Sequence, residues 1–364
     1  MEYTEGEYYD YSEHENISYN FSYDDYQTIC QKEDVRLFSK IFLPVVYGLS
    51  LVVGLAGNAL VVAVYAYFKR LKTLMDTFMV HLAVADLLLL LTLPFWAAAA
   101  VQGWELGELL CKIVRASYTI NFSCSMLLLA CISLDRYFSL SPGLKETFLG
   151  KAFRRNQSIK LCLVVWTIVF LLGIPDLVLS TIKELPDGKV CMAVYPSTMA
   201  IQAKVSMEVL EVLLSFLVPL LIMLYCYSHV VRKLLDLPLE NREKKWATIR
   251  VLIVVVGVFV VTQLPYNIVK FCRVLDLIHS LVSHCEMSKA LDRAAQVTES
   301  LALTHCCLNP LLYGFLGASF RRNVLKLAKD ISQRGRSTER QEQHEVEIPF
   351  NSHSQSQKTS TFSI

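Results

Sequence analysis

Seven long apolar stretches constrain this chain more than any other feature of its sequence. A helix needs about 20 predominantly apolar residues to cross a bilayer, and the runs at 41–67, 77–101, 109–134, 158–179, 205–231, 247–271 and 290–316 meet that length. Lipid offers no partner to a stray backbone N–H or C=O, so spans of this kind must be helical. Pro94, Pro219 and Pro310 interrupt the second, fifth and seventh spans; a membrane bundle tolerates such breaks because neighbouring groups re-satisfy the freed carbonyls. The expected fold class is an all-α membrane protein, a seven-transmembrane helix bundle. With 54% hydrophobic and only 19% charged residues, composition agrees and is too apolar for an ordinary soluble enzyme.

Lys and Arg in the short loops set the orientation. Lys69, Arg70 and Lys72, then Lys151, Arg154 and Arg155, then Lys244 and Lys245, and then Arg321, Arg322 and Lys326 all fall on one side, while Glu105, Glu108, Glu184 and Asp187 fall on the other. The basic side is read as cytoplasmic, giving a multi-pass plasma-membrane protein with its N-terminus extracellular. The formal net charge is only +2, which excludes a strongly basic nucleic-acid binder. The first thirty residues hold eight acids and no Lys or Arg. They do not read as a cleavable signal peptide, and the first span is expected to act as its own targeting signal.

Four segments follow: an acidic, Tyr-rich and mostly disordered extracellular tail at 1–40, the bundle at 41–316, a short helix at 317–330 and a disordered cytoplasmic tail at 331–364. In the short helix, basic residues are expected at the lipid headgroups, with Phe320, Val324 and Leu327 at the acyl boundary. Outside the cell, Asn16-Ile17-Ser18 and Asn20-Phe21-Ser22 are glycosylation acceptors. The same pattern at Asn121 lies within a span and at Asn156 in a cytoplasmic loop, so both are chance matches. Seven cysteines fall within spans and read as small apolar packing groups. The other four, Cys30, Cys111, Cys191 and Cys285, lie outside, where disulfides persist; four cysteines allow three pairings.

The sequence has no HExxH, Walker loop, GxSxG motif or metal-spaced Cys/His cluster, so no enzyme and no resident cofactor is expected. His81, His229 and His305 stand alone and read as hydrogen-bonded packing residues. Ionisable groups within a bilayer are costly and point to function. Here they are Asp86, Asp135 with Arg136, Glu208, Glu211 and Glu299. A transporter or channel would string such groups along one path. Instead they divide by depth, which suits an outer ligand site and an inner switch.

The set Gly57-Asn58, Leu82-Ala83-Val84-Ala85-Asp86, Asp135-Arg136-Tyr137, Trp166, Pro219 and Asn309-Pro310-Leu311-Leu312-Tyr313, in this order on seven spans, resembles the rhodopsin-like G-protein-coupled receptors over about residues 40–330. Within them, Thr92-Leu93-Pro94, the four outer cysteines, the Tyr/Asp/Glu-rich N-terminus and Glu299 resemble the chemokine receptors. The stretch from Thr262 to Cys272 and the ending Thr359-Ser360-Thr361-Phe362-Ser363-Ile364 resemble an atypical, scavenging branch that binds CC-type chemokines.

This resemblance implies the pairs Cys111 with Cys191 and Cys30 with Cys285, and a two-site mode of binding. The tail would capture the basic chemokine through Tyr8, Tyr9, Tyr11, Tyr23, Tyr26, Asp24 and Asp25, tyrosines beside acids being candidates for sulfation, while a solvated disordered tail is the bland alternative. The ligand's N-terminus would then enter the bundle at Glu299, with Trp96, Trp104, Tyr118 and Lys270 at the mouth. For Glu299 a structural salt bridge is the competing reading; for Trp96 and Tyr118 it is the interfacial aromatic belt.

Deeper, Asp86 with Asn121, Ser125 and Asn309 resembles the family's sodium-binding cluster, no other metal being expected, and a water-filled polar network is the alternative. Asp135, Arg136, Tyr137, Tyr227, Pro265, Asn309, Pro310 and Tyr313 resemble the activation switch. Phosphorylation of Ser352, Ser354, Ser356, Thr359, Ser360, Thr361 and Ser363 by receptor kinases would build an anionic strip for arrestin, against an inert hydrophilic tail.

The chain departs from the family at two places. After Tyr137 the signalling chemokine receptors usually run Leu-Ala-Ile-Val, where this chain has Phe138-Ser139-Leu140-Ser141-Pro142. Two residues before Pro265, many members carry Trp, where this chain has Gln263. The first departure weighs against coupling to a heterotrimeric G protein and towards arrestin-led uptake through early and recycling endosomes. A conventional Gi-coupled receptor driving migration is the alternative.

Overall fold

The computed structural model describes residues 30–68, 74–140, 157–185, 188–235, 242–316, 321–330 and 332–333. Span one is Glu33–Phe68. Span two is Leu74–Leu90 followed by Leu93–Gln102, and span three is Glu108–Leu140. Span four is Ser158–Leu179. Span five runs through Ala200–Val212, a π-helical turn at Leu213–Leu217, and Val218–Leu235. Span six is Arg242–His279, and span seven is Cys285–Leu303 followed by His305–Leu316. Span one begins at Glu33, eight residues before the expected start, so residues 33–40 belong to the bundle and not to a disordered tail.

Six of the described helices are long and apolar enough to cross a membrane by themselves. Span seven is broken at Thr304, and its outer half carries Glu286, Lys289, Asp292, Arg293 and Glu299. It crosses beside span one and in the same direction, as successive contacts show. Lys32 Nζ meets Asp292 at 2.7 Å, Ser39 Oγ donates to Gln296 Oε1 at 2.8 Å, and Asn58 Nδ2 donates to the Cys306 carbonyl at 2.9 Å.

Proline leaves a different mark in each span. In span two the helix breaks just before Pro94, and the Thr92 hydroxyl donates to the Leu89 carbonyl at 2.7 Å. In span five, the turn before Pro219 widens and the Val218 amide reaches the Leu213 carbonyl, a π-bulge of the kind that absorbs one extra residue. In span seven the helix continues through Pro310, so the expected interruption lies one and a half turns earlier, at Thr304. Pro310 has no N–H for the Cys306 carbonyl, and the Asn58 amide takes that place.

One element was not expected. Ser180–Leu185 and Gly188–Ala193 form an antiparallel hairpin with Ile182 opposite Cys191. The sequence signal was present in Pro186-Asp187-Gly188, whose residue types favour a tight reversal.

Three packed clusters fill the bundle: an outer one around Trp104, Cys111 and Cys191, a central one around Phe122, Met126 and Phe259, and an inner one around Val61, Phe78 and Leu128. Residues 321–330 are helical. Leu327 of that helix is buried in the inner cluster with Val324 against it, so these two side chains face the bundle and not the acyl boundary; Phe320 lies outside the described residues. Five of the seven span cysteines are buried, whereas Cys272 is exposed.

Close packing of spans three and four depends on Gly173, where an added Cβ would lie 2.4 Å from Ile120 Cγ1. Gly173→Val is therefore expected to destabilise the bundle by about 1–3 kcal/mol through overpacking. The check is a lowered thermal midpoint of the detergent-solubilised protein.

Candidate functional site: an outer charged pocket and an inner polar cluster

The outer face is fixed by two disulfides. Cys111 at the start of span three bonds Cys191 on the hairpin, with Cα atoms 5.6 Å apart. Cys30 bonds Cys285 at the start of span seven, with Cα atoms 5.4 Å apart. Ion pairs reinforce the second link. Asp292 meets Lys32 at 2.7 Å and Arg273 at 2.5 Å, and Asp34 meets Arg293 at 2.8 Å.

Inside this rim, Tyr118 Oη donates to Glu299 Oε1 at 2.9 Å. Among the described residues no cation comes within salt-bridge distance of Glu299. Lys270 instead pairs with Glu208 at 2.9 Å and Glu211 at 2.5 Å and lies 5.7 Å from the Tyr266 ring centroid. Trp96 packs edge-on to Tyr118, with ring centroids 6.2 Å apart, and is half-buried.

Trp104 departs from its expected place at the mouth. It is 1% exposed, is packed with the Cys111–Cys191 pair and donates through Nε1 to the Gly107 carbonyl at 3.0 Å. Its indole shapes the wall from behind and presents no surface to a ligand. Asp176, which the sequence reading passed over near the end of span four, ties that span to span three through Arg115 at 3.0 Å and Thr119 at 2.6 Å. Its position three residues from the end of the span hid it among interfacial polar groups.

The inner cluster surrounds Asp86, which is 0% exposed. Ser125 Oγ donates to one carboxylate oxygen at 2.7 Å and Asn309 Nδ2 to the other at 2.8 Å. Asn121 makes no described side-chain hydrogen bond to Asp86, though its backbone carbonyl accepts from Ser125 Oγ at 3.1 Å. Its Nδ2 donates to the Ser117 carbonyl at 2.7 Å, and its Oδ1 is buried without a hydrogen-bond partner.

His305, expected to be an isolated packing residue, belongs to this cluster. Its Nδ1 lies 2.6 Å from the Ala302 carbonyl, which can only accept, so Nδ1 carries the proton. Its Nε2 faces Asp86 Oδ1 at 3.8 Å. Gln263 Nε2 donates to the same Ala302 carbonyl at 3.0 Å. Sequence spacing gave no hint of this meeting, because it depends on the helix break at Thr304. His81 does act as a packing residue, accepting from Trp166 Nε1 at 3.2 Å.

Towards the cytoplasm, Arg136 lies 3.6 Å from Asp135 and packs against Met75 Sδ. Tyr227 is held by Ser133, whose Oγ donates to the phenol at 2.8 Å. Tyr137 makes ring contacts with Tyr225 and His229, each with centroids 5.7 Å apart. Pro265 lies within span six. Tyr8, Tyr9, Tyr11, Tyr23, Asp24, Asp25, Tyr26, Asn16 and Asn20 lie outside the described residues, as do the serines and threonines from Ser352 to Ser363 and the Tyr313 side chain.

The arrangement can receive a cation from the outside, transmit a change through packed rings and a polar cluster, and alter the inner ends of the spans. A family model described as 7 transmembrane receptor (rhodopsin family) matches residues 57–313. Atypical chemokine receptor 4 of Homo sapiens is 47% identical over 354 residues, covering 97% of each chain. The Bos taurus protein of the same name is 44% identical over 364 residues, covering 100% of this chain and 99% of its own. C-C chemokine receptor type 7 of Homo sapiens is 41% identical over 311 residues, covering 84% of this chain and 80% of its own.

The Gln263 bond carries a prediction of its own. Gln263→Leu removes one of the two donors to the buried Ala302 carbonyl, which keeps His305, and is expected to cost about 0.5–1.5 kcal/mol, read as a fall in thermal midpoint. Gln263→Glu is expected to cost more, because a carboxylate beside a carbonyl oxygen adds a buried charge with no partner.

Proposed function

The chain belongs to the rhodopsin family of seven-transmembrane receptors, and within it to the chemokine receptors, and we propose that it is an atypical member. In this reading it binds CC-type chemokines at the plasma membrane, recruits arrestin and carries the ligand inward through early and recycling endosomes. The observation that carries the ligand assignment is Glu299, a carboxylate in the outer pocket whose described hydrogen bond comes from a neutral phenol. An incoming ammonium would complete it. The acidic, tyrosine-rich N-terminal segment complements the basic body of a chemokine, and sulfation of its tyrosines would deepen that field. The Cys30–Cys285 bond holds the base of that segment against span seven, so captured ligand stays near Glu299.

The atypical output is supported by the likeness to proteins of that name at 44–47% identity and by the departure from Phe138 to Pro142. Phosphates on the serines and threonines from Ser352 to Ser363 would supply the charge that an arrestin reads. The competing reading, a Gi-coupled receptor, rests on the intact Asp135-Arg136-Tyr137 and on the likeness to C-C chemokine receptor type 7.

For the inner cluster we propose a sodium ion as occupant. The Asp86 carboxylate and Ser125 Oγ, 2.7 Å apart, are oxygens that suit a hard cation. Such an ion would stabilise the packed arrangement of spans two, three and seven. Sodium in place of potassium is then expected to raise the thermal midpoint of the purified receptor, and Asp86→Asn to abolish that difference.

The function is tested by a paired measurement in cells expressing the full chain: uptake of labelled CC chemokines together with pertussis-toxin-sensitive inhibition of cyclic AMP. Uptake without a cyclic AMP response is expected. A robust toxin-sensitive response would move the output to Gi signalling. In the same cells, replacing Cys30 and Cys285 together by Ser is expected to weaken chemokine capture about tenfold, since an unfastened segment loses effective concentration at the pocket.

A further inference from the structure

The outer pocket holds three carboxylates and one ammonium, and they are unevenly matched. Lys270 Nζ sits between Glu208 and Glu211 at 2.9 and 2.5 Å, and its side chain is 11% exposed. The two glutamates are 31% and 29% exposed, so water and ligand reach their carboxylates more readily than they reach the lysine. Both lie on span five, one turn apart on the same face, and Lys270 lies on span six. One ammonium from within the chain therefore fills a dicarboxylate that is shaped for an ammonium and is itself more exposed than the lysine it holds. Glu299, on span seven, accepts from the neutral Tyr118 phenol, and no described cation lies within salt-bridge distance of it.

We propose that Lys270 is a built-in competitor that sets the receptor's ligand preference. It holds the Glu208–Glu211 pair until a second cationic group of the ligand's N-terminal segment, a lysine or arginine side chain beyond the terminal amine, displaces it. The inference rests on the chemokine reading and adds a second cation subsite to it. Three carboxylates against one lysine leave two negative charges to be met, one at Glu299 and one at the pair. Ligands with two separated positive charges are preferred over those with the terminal amine alone. Displacement also severs both described ion pairs from Lys270 to span five, so occupation of this subsite frees the outer ends of spans five and six to move relative to each other. The lysine's four-carbon stem gives its ammonium room to turn outward to water.

The test is equilibrium binding of labelled CC chemokines to the full-length receptor in lipid nanodiscs, at low and high salt. The variants are Lys270→Gln, Glu211→Gln and the two combined. Lys270→Gln is expected to tighten binding about tenfold at low salt, because a positive charge facing the ligand is lost and the carboxylate pair is released. The gain should disappear in the combined variant, and it should be small for a chemokine whose N-terminal segment has its basic side chains replaced by glutamine. Glu211→Gln alone is expected to weaken binding of the basic ligand.

Unchanged or weaker binding in Lys270→Gln, with wild-type binding intact, would overturn the competitor role and leave the chemokine assignment standing. If Lys270→Gln does not reach the membrane folded, the Glu211→Gln result decides: binding equal to wild type overturns the subsite. A wild-type receptor that captures no chemokine overturns the ligand reading, and this inference with it.

Discussion

A carbonyl released within a membrane must find a donor, and the break in span seven meets that requirement in a way that joins four spans. The Ala302 carbonyl accepts from Gln263 of span six and from His305. The Leu303 carbonyl accepts from the Cys306 thiol at 2.8 Å. The Cys306 carbonyl, left without a donor by Pro310, accepts from Asn58 of span one. His305, turned by the same break, then faces Asp86 of span two. Water is not at hand to absorb an error, so these bonds fix the relative placement of spans one, two, six and seven at mid-depth. The outer pocket and the inner switch are both hung from that level.

The break also explains why Gln263 is tolerated where many family members place an indole. A tryptophan offers one N–H and a large apolar body; a glutamine offers an amide that reaches across to span seven and an oxygen besides. The ring packing moves elsewhere. Tyr118, which holds Glu299, stacks on Phe122 with centroids 6.0 Å apart, and Phe122 meets His305 edge-on at 5.5 Å and Tyr266 at 6.5 Å. A continuous set of rings thus runs from the outer carboxylate to the residue beside Asp86. It is a physical connection between the tiers, and a bistable element biased at one end can be read at the other.

Spans and depth of charge were legible in the sequence because each follows from local chemistry: apolar length and the cost of a buried ion. The short motifs located Asp86 and Asn309, and the cost of a buried charge singled out Glu299. What the sequence hid depends on where helices deviate from regular geometry. His305 looked isolated because the turn at Thr304 brings it to Asp86, and Asn121 looked like a partner of Asp86 because it lies one turn from Ser125. Trp104 looked like part of the mouth because residue type does not reveal that the hairpin will cover it. Leu327 was assigned to lipid because an amphipathic pattern shows that a face is apolar and not what will cover it. The hairpin itself was signalled by Pro186-Asp187-Gly188, a pattern overshadowed by the search for spans.

The inner end argues about output in a similar way. Arg136 stays beside Asp135, and Tyr227 is held by Ser133 one turn earlier on span three. Arg136 and Tyr227 are thus each held by a neighbour on span three. Phe138, the first residue of the departure, is buried, and Tyr137 is packed with Tyr225 and His229 of span five. These rings join spans three and five directly beneath the arginine. A change in coupling must then arise from the surface that follows Phe138, or from the cost of separating these rings when the inner ends part. The two causes are separable in principle, since one alters what a partner touches and the other alters how often the bundle opens.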